Sequence, residues 1–186
     1  MIWSDLYPLV LPHVAGCPEP ILEDTLRRTA IRFCRDTHAW AEELASVYPA
    51  EGITRYQLTL PEGSELLSLA HAVQANNALW PRVNVFGLLH FDAAPNPDNG
   101  PIEIRAVLHP SRDSTGLPDR LGLGYDEALI HGTLATLQEM PGRDWTNPQL
   151  VAYHRAKYLE SVAEARTRLS QGDTERPLTV RLPSFL

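Results

Sequence analysis

The chain has 186 residues, 44% apolar and 21% charged, the balance of a globular domain with a sizeable core. Its formal net charge of −7 excludes a surface built to wrap nucleic acid, which needs clustered Lys and Arg. An acidic channel wall past which DNA slides is compatible with that charge.

The opening segment, residues 1–16, reads as an N-terminal arm. Ser4 and Asp5 are candidate caps for a brief helix, Leu6, Leu9 and Val10 are candidate core contacts, and Pro12 bends or ends it. Trp3 and Tyr7 are placed to anchor the arm against the body or against a neighbouring copy. A long helix starts near Pro18–Pro20, where proline is tolerated in a first turn and Glu19, Glu23 and Asp24 suit the positive end of the helix dipole. Leu22, Leu26, Ala30, Phe33, Trp40, Leu44 and Val47 recur at helical spacing, so the helix is predicted to reach Tyr48-Pro49. Arg27, Arg28, Arg32 and Arg35 lie off that stripe, on a face open to solvent or to another subunit.

Residues 53–109 read as a β-element. Tyr56, Leu58 and Leu60 alternate with Arg55, Gln57 and Thr59, and Leu67, Leu69, His71 and Val73 alternate again. Asn76-Asn77 suits a tight hairpin turn with a short return strand at 78–80. Residues 83–91 are apolar but fit neither period cleanly, 92–100 is a Pro/Asn/Asp/Gly loop, and Ile102, Ile104, Ala106 and Leu108 mark a third strand. After the 109–121 loop, a helix is expected over 124–140. Gly132 inside it implies close approach of a neighbouring helix, since glycine costs roughly 1 kcal/mol there. Pro141-Gly142 stops it, Asn147-Pro148 starts the last helix, and the short link makes an antiparallel hairpin with Trp145 over its open end. Gly172 is the expected stop. The fold class is therefore α+β, mainly α: a small helical bundle of one long N-terminal helix plus a C-terminal helix hairpin, with an inserted antiparallel β-element. It forms a single domain, 1–172, followed by an extended tail, 173–186.

Motifs for chemistry are absent. Two cysteines, Cys17 and Cys34, fit no zinc spacing or disulfide framework, and no signal-peptide pattern opens the sequence, so reduced thiols in a cytosolic product are expected. No apolar run approaches the roughly 20 residues of a membrane span. The seven histidines include no pair at helical ligand spacing, although His131 and His154 lie on the two hairpin helices and are able to face each other. Gly122-Leu123-Gly124 lacks the partners of a phosphate loop, and Ser111 after His109-Pro110 is a turn serine. We therefore expect no catalytic residues, no metal and no cofactor. A small cytosolic enzyme with an active site assembled from distant residues is the alternative from another class.

Four segments carry a resemblance. They are Gly16-Cys17-Pro18 with the Leu26, Arg27, Ala30, Phe33, Cys34 stripe; Leu58, Leu60, Pro61; Leu108, His109, Pro110, Ser111; and Met140, Pro141, Trp145, Asn147, Pro148. In this order they resemble the head–tail adaptor (connector) proteins of tailed bacteriophages. The resemblance implies a structural ring of about twelve copies between portal and tail, with DNA passing through it and no sequence-specific DNA contact. It implies the portal protein, a downstream tail or nozzle protein and neighbouring copies as partners, at the virion head–tail junction after synthesis in the host cytoplasm. Another neck or tail-completion protein is the variant of that reading. Arg28, Arg32, Arg35, Trp3 and Tyr7 are the candidate subunit contacts. In the tail, Leu178, Val180, Leu182, Phe185 and Leu186, with Arg181, are the candidate portal or neighbour contacts, since their alternation suits strand addition.

Overall fold

The computed structural model describes residues 1–170. A 3-10 turn at Trp3–Leu6 runs into α1 (Tyr7–Val10), a second 3-10 turn at Leu11–His13, and α2 (Glu19–Thr37). Seven strands follow: β1 (Ala41–Val47), β2 (Arg55–Gln57), β3 (Ser64–Gln74), β4 (Asn77–Ala78), β5 (Arg82–Val83), β6 (Leu88–His90) and β7 (Ile102–Pro110). The described residues close with α3 (Asp119–Gly124), α4 (Asp126–Gln138) and α5 (Pro148–Ser170).

This corrects the expected fold class. The described residues are mixed, 44% helical and 23% strand, with two antiparallel sheets; they do not form a helical bundle carrying a minor β-insert. The larger sheet has the order β1-β7-β3-β4 and the smaller one β2-β6-β5. α2 packs against β7 as well as against α4 and α5, so the helices are built onto the sheet.

The main error lies at the end of α2. Thr37 and His38 stop the helix ten residues before Val47. The Thr37 hydroxyl donates to the Phe33 carbonyl at 2.7 Å and accepts from the Ala39 N–H at 3.2 Å. His38 then turns left-handed at φ 60, donating its N–H to the Cys34 carbonyl at 2.8 Å. Such a cap satisfies the last carbonyls and redirects the chain. Residues 41–47 become β1, paired with β7, with Leu44 opposite Ile104 and Val47 opposite Ile102. Three steps on β1 match two on β7, so a bulge lies between them. The bulge makes a spacing of three repeat on one face of a strand, which is why Leu44 and Val47 read as helical.

β7 is the central strand of the larger sheet, and Ile102, Ile104, Ala106 and Leu108 are buried along it. β3 pairs with it through two further irregularities, between Leu66 and Ser68 and between Leu69 and His71. These shift the faces, so Leu66, Ala72 and Gln74 are buried while His71 is exposed, against the plain alternation read from Leu67 to Val73. The tight turn into β4 uses Ala75 and Asn76, at φ 47 and 63, one residue earlier than expected.

The hairpin is present as predicted, and Gly132 explains its closeness. A Cβ there would lie 2.6 Å from Thr29 Cγ2 and 2.8 Å from Tyr158 Cδ2, so α2, α4 and α5 meet at a point where only hydrogen fits. Trp145 is buried in the link, and the Asn147 N–H closes on the Gln138 carbonyl at 3.0 Å. Leu150 and Tyr153 are exposed; Tyr158, Val162 and Ala165 form the packed face of α5. The arm packs as part of the core: Trp3, Leu6, Val10 and Val14 are buried, whereas Leu9 is not. Among the described residues no helix is long and apolar enough to cross a membrane.

Candidate functional site

The arginines of α2 follow from its period. Leu22, Leu26, Ala30, Phe33 and Cys34 turn inward, which leaves positions 28, 32 and 35 on the outer side. Arg28 pairs with Asp24, Nε to Oδ2, at 2.8 Å, and Arg32 lies 3.7 Å from Asp36 while its guanidinium stands 4.9 Å from the centre of the Tyr158 ring. Both pairs are one helical turn apart and solvated, worth about 0.3–0.5 kcal/mol each.

Arg35 differs. Its guanidinium donates to Nε2 of His109, at 3.3 Å, and it makes no ion pair with a carboxylate among the described residues. His109 is buried near the end of β7, with Nδ1 2.9 Å from the Pro110 carbonyl. A carbonyl only accepts, so Nδ1 carries the proton and Nε2 presents its lone pair to Arg35. Glu65, on β3, reaches within 3.9 Å of the same Nε2. Arg112, in the loop after β7, completes a cleft of about 510 Å³ with Arg28, Arg32, Arg35, His109 and Glu65 on its walls.

Trp3 and Tyr7 belong to the arm's own anchorage. Trp3 is only 2% exposed, and its Nε1–H donates to the Ser114 carbonyl at 2.7 Å, which also accepts from Arg27 Nε at 3.1 Å. The Tyr7 hydroxyl donates to Glu23 at 3.0 Å, and burial together with that carboxylate pushes its pKa up to about 12. Trp3 therefore anchors the arm to its own body, the first of the two roles expected of it. Leu178, Val180, Arg181, Leu182, Phe185 and Leu186 lie outside the described residues, as does Gly172.

The hairpin histidines do meet. Nδ1 of His131 and Nδ1 of His154 are 2.8 Å apart, so one must donate to the other. Burial lowers the pKa of both rings, and the neighbouring His13 lowers each further. Among the described residues no group of three His, Cys, Asp or Glu is placed to hold a metal ion. Cys17 and Cys34 are free, and burial raises both thiols, Cys34 to about 12, which suits packing and not nucleophilic attack.

Two features escaped the sequence reading. His109 and Arg112 join the α2 arginines through the packing of α2 on β7, and Glu65 through the pairing of β7 with β3; no local spacing announces either. The other is the exposure of large apolar side chains around the smaller sheet: Trp80, in the loop between β4 and β5, is 90% exposed, and Phe86, beside Val85 in the β5–β6 turn, is 77% exposed. The signal of Val85 and Phe86 is the apolar run over 83–91 that fits neither period, whereas Trp80 falls in the short return strand expected at 78–80.

No family model matches the chain, and no curated protein matches it.

Proposed function

We propose that this chain is a structural subunit of a ring that joins the portal of a tailed-bacteriophage head to its tail, with DNA passing through the channel. The observation that carries the assembly role is the exposure of Trp80 and Phe86 in the loop and turn that flank β5. A tryptophan and a phenylalanine left in water there are the mark of a surface meant for another protein. The choice of assembly rests on the order of the four sequence segments set out above. In this reading the protein performs no catalysis and holds no cofactor; its partners are the portal, a downstream tail or nozzle protein and further copies of itself. The tail, 173–186, docks onto the portal or a neighbouring copy, with Leu178, Val180, Leu182, Phe185 and Leu186 as apolar anchors of roughly 1.5–3 kcal/mol each when buried, and Arg181 beside them.

Cryo-electron microscopy of virions tests the proposal. The expected result is a ring of this chain between portal and tail; its absence from the particle, or its presence as an isolated monomer, overturns the reading. Deleting residues 175–186 should leave a folded protein that no longer joins portal-bearing heads. Infectious particles at the normal level from that deletion would remove the docking role of the tail.

A further inference from the structure

We propose that the cleft between α2 and the end of β7 is the positive half of a contact between copies, and that it receives a carboxylate side chain from a second copy of this chain. The inference rests on the ring reading above and assigns one of its surfaces.

The arginines of α2 are not equivalent. Arg27 is closed by Glu23, Arg28 by Asp24 and Arg32 by Asp36, each a turn away on the same helix. Arg35 and Arg112 have no such partner among the described residues, and Glu65 is the remaining carboxylate of the cleft. Two cations against one anion leave a single positive charge unmatched, so the vacant place suits one monoanionic group. Arg35 is also held ready. The buried His109 ring is fixed by the Pro110 carbonyl and accepts one N–H of the guanidinium, leaving the other donors of the fork for an incoming oxyanion. His109 acts here as a positioning residue. A planar fork matches a carboxylate in a bidentate way, which adds direction to charge.

Charge decides the source of that carboxylate. The whole chain carries −7, yet this cleft is locally positive. A nucleic-acid duplex would meet repulsion over most of the remaining surface. A second copy brings an excess of carboxylates to a patch that lacks one. In a ring the two sides of a contact are different patches of the same molecule, so a positive cleft on one side and an acidic surface on the other is the arrangement that closes.

The test is sedimentation velocity and native mass spectrometry of the full chain at low and high salt. The wild type should self-associate at low salt and weaken as salt rises. Arg112→Glu, at an exposed position with no ion pair among the described residues, should weaken association by about tenfold without moving the melting temperature. Arg35→Glu should weaken association as well, with some loss of melting temperature because it also removes the partner of the buried His109, whereas Arg28→Gln, whose arginine is already paired, should have a smaller effect on association. A wild type that remains monomeric at low salt, or association that ignores salt and both reversals, overturns the proposal while leaving the ring to the virion map. A duplex DNA oligonucleotide titrated in parallel supplies the other outcome. Binding of DNA that Arg35→Glu and Arg112→Glu both abolish, without self-association, would assign the cleft to a phosphodiester and end the copy-to-copy reading.

Discussion

β7 and β6 each lie in the middle of an antiparallel sheet, and they are used in opposite ways. β7 spans nine residues, pairs on both sides, and buries Ile102, Ile104, Ala106 and Leu108 beneath the helices. β6 spans three, with Leu89 buried while the neighbouring Leu88 and the turn residues Val85 and Phe86 face solvent. Leu58, Leu89 and Phe91 tie the smaller sheet to the same core. The first sheet therefore serves the fold, while the second and its β5–β6 turn leave apolar side chains in water.

The contrast can be broken most severely at β7. Ile104→Ala removes a buried side chain that faces Leu44 across the β1 pairing, and should cost about 2–5 kcal/mol, a fall of roughly 5–15 °C in melting temperature by calorimetry. Next comes Gly132→Ala. The helix gains up to about 1 kcal/mol of propensity, but the new methyl meets Thr29 and Tyr158 well inside contact distance. Overpacking should win and leave the variant about 1–3 kcal/mol less stable in urea unfolding.

Acid should loosen the hairpin by a smaller amount. His131 and His154 have folded pKa values below their ordinary 6.5, so the unfolded chain binds more protons in that window. Their contribution is complete above pH 6.5, is lost as pH falls below it, and levels off beneath the folded values. His13 and Lys157 reinforce the depression of His131, while Glu127 opposes it. Thermal melts from pH 7.5 to 5 should show this slope, and the double variant His131→Gln/His154→Gln should flatten it. Smallest of all, Phe86→Ser should leave stability within about 0.5 kcal/mol of wild type while reducing incorporation into particles. A large loss of stability there would erase the distinction between the two sheets.

The sequence revealed elements that end on chemistry local to the chain. Pro141-Gly142 and Asn147-Pro148 punctuate the hairpin, Gly132 announces a close approach, and the alternation from Ile102 to Leu108 is the central strand. It misled where pairing decides: Leu44 and Val47 have helical spacing because a bulge restores them to one face, and that bulge exists only opposite β7. The off-stripe position of Arg28, Arg32 and Arg35 was likewise legible, but their inequality was not. What separates Arg35 from the others is a histidine 74 residues away, brought beside it by tertiary packing.

The bulge in β1 has one more consequence. Among the described residues β1 forms an outer edge of the larger sheet, with backbone groups turned outward. A straight, apolar edge of that kind would zip onto the same edge of another molecule and build open-ended aggregates. The irregularity between Leu44 and Val47, with the charged Glu42 and Glu43 just before it, spoils the match. The chain is thus protected from strand-to-strand polymerisation along this edge, and in the proposed ring the encounters between copies are left to side-chain surfaces, whose shape can set a closed count.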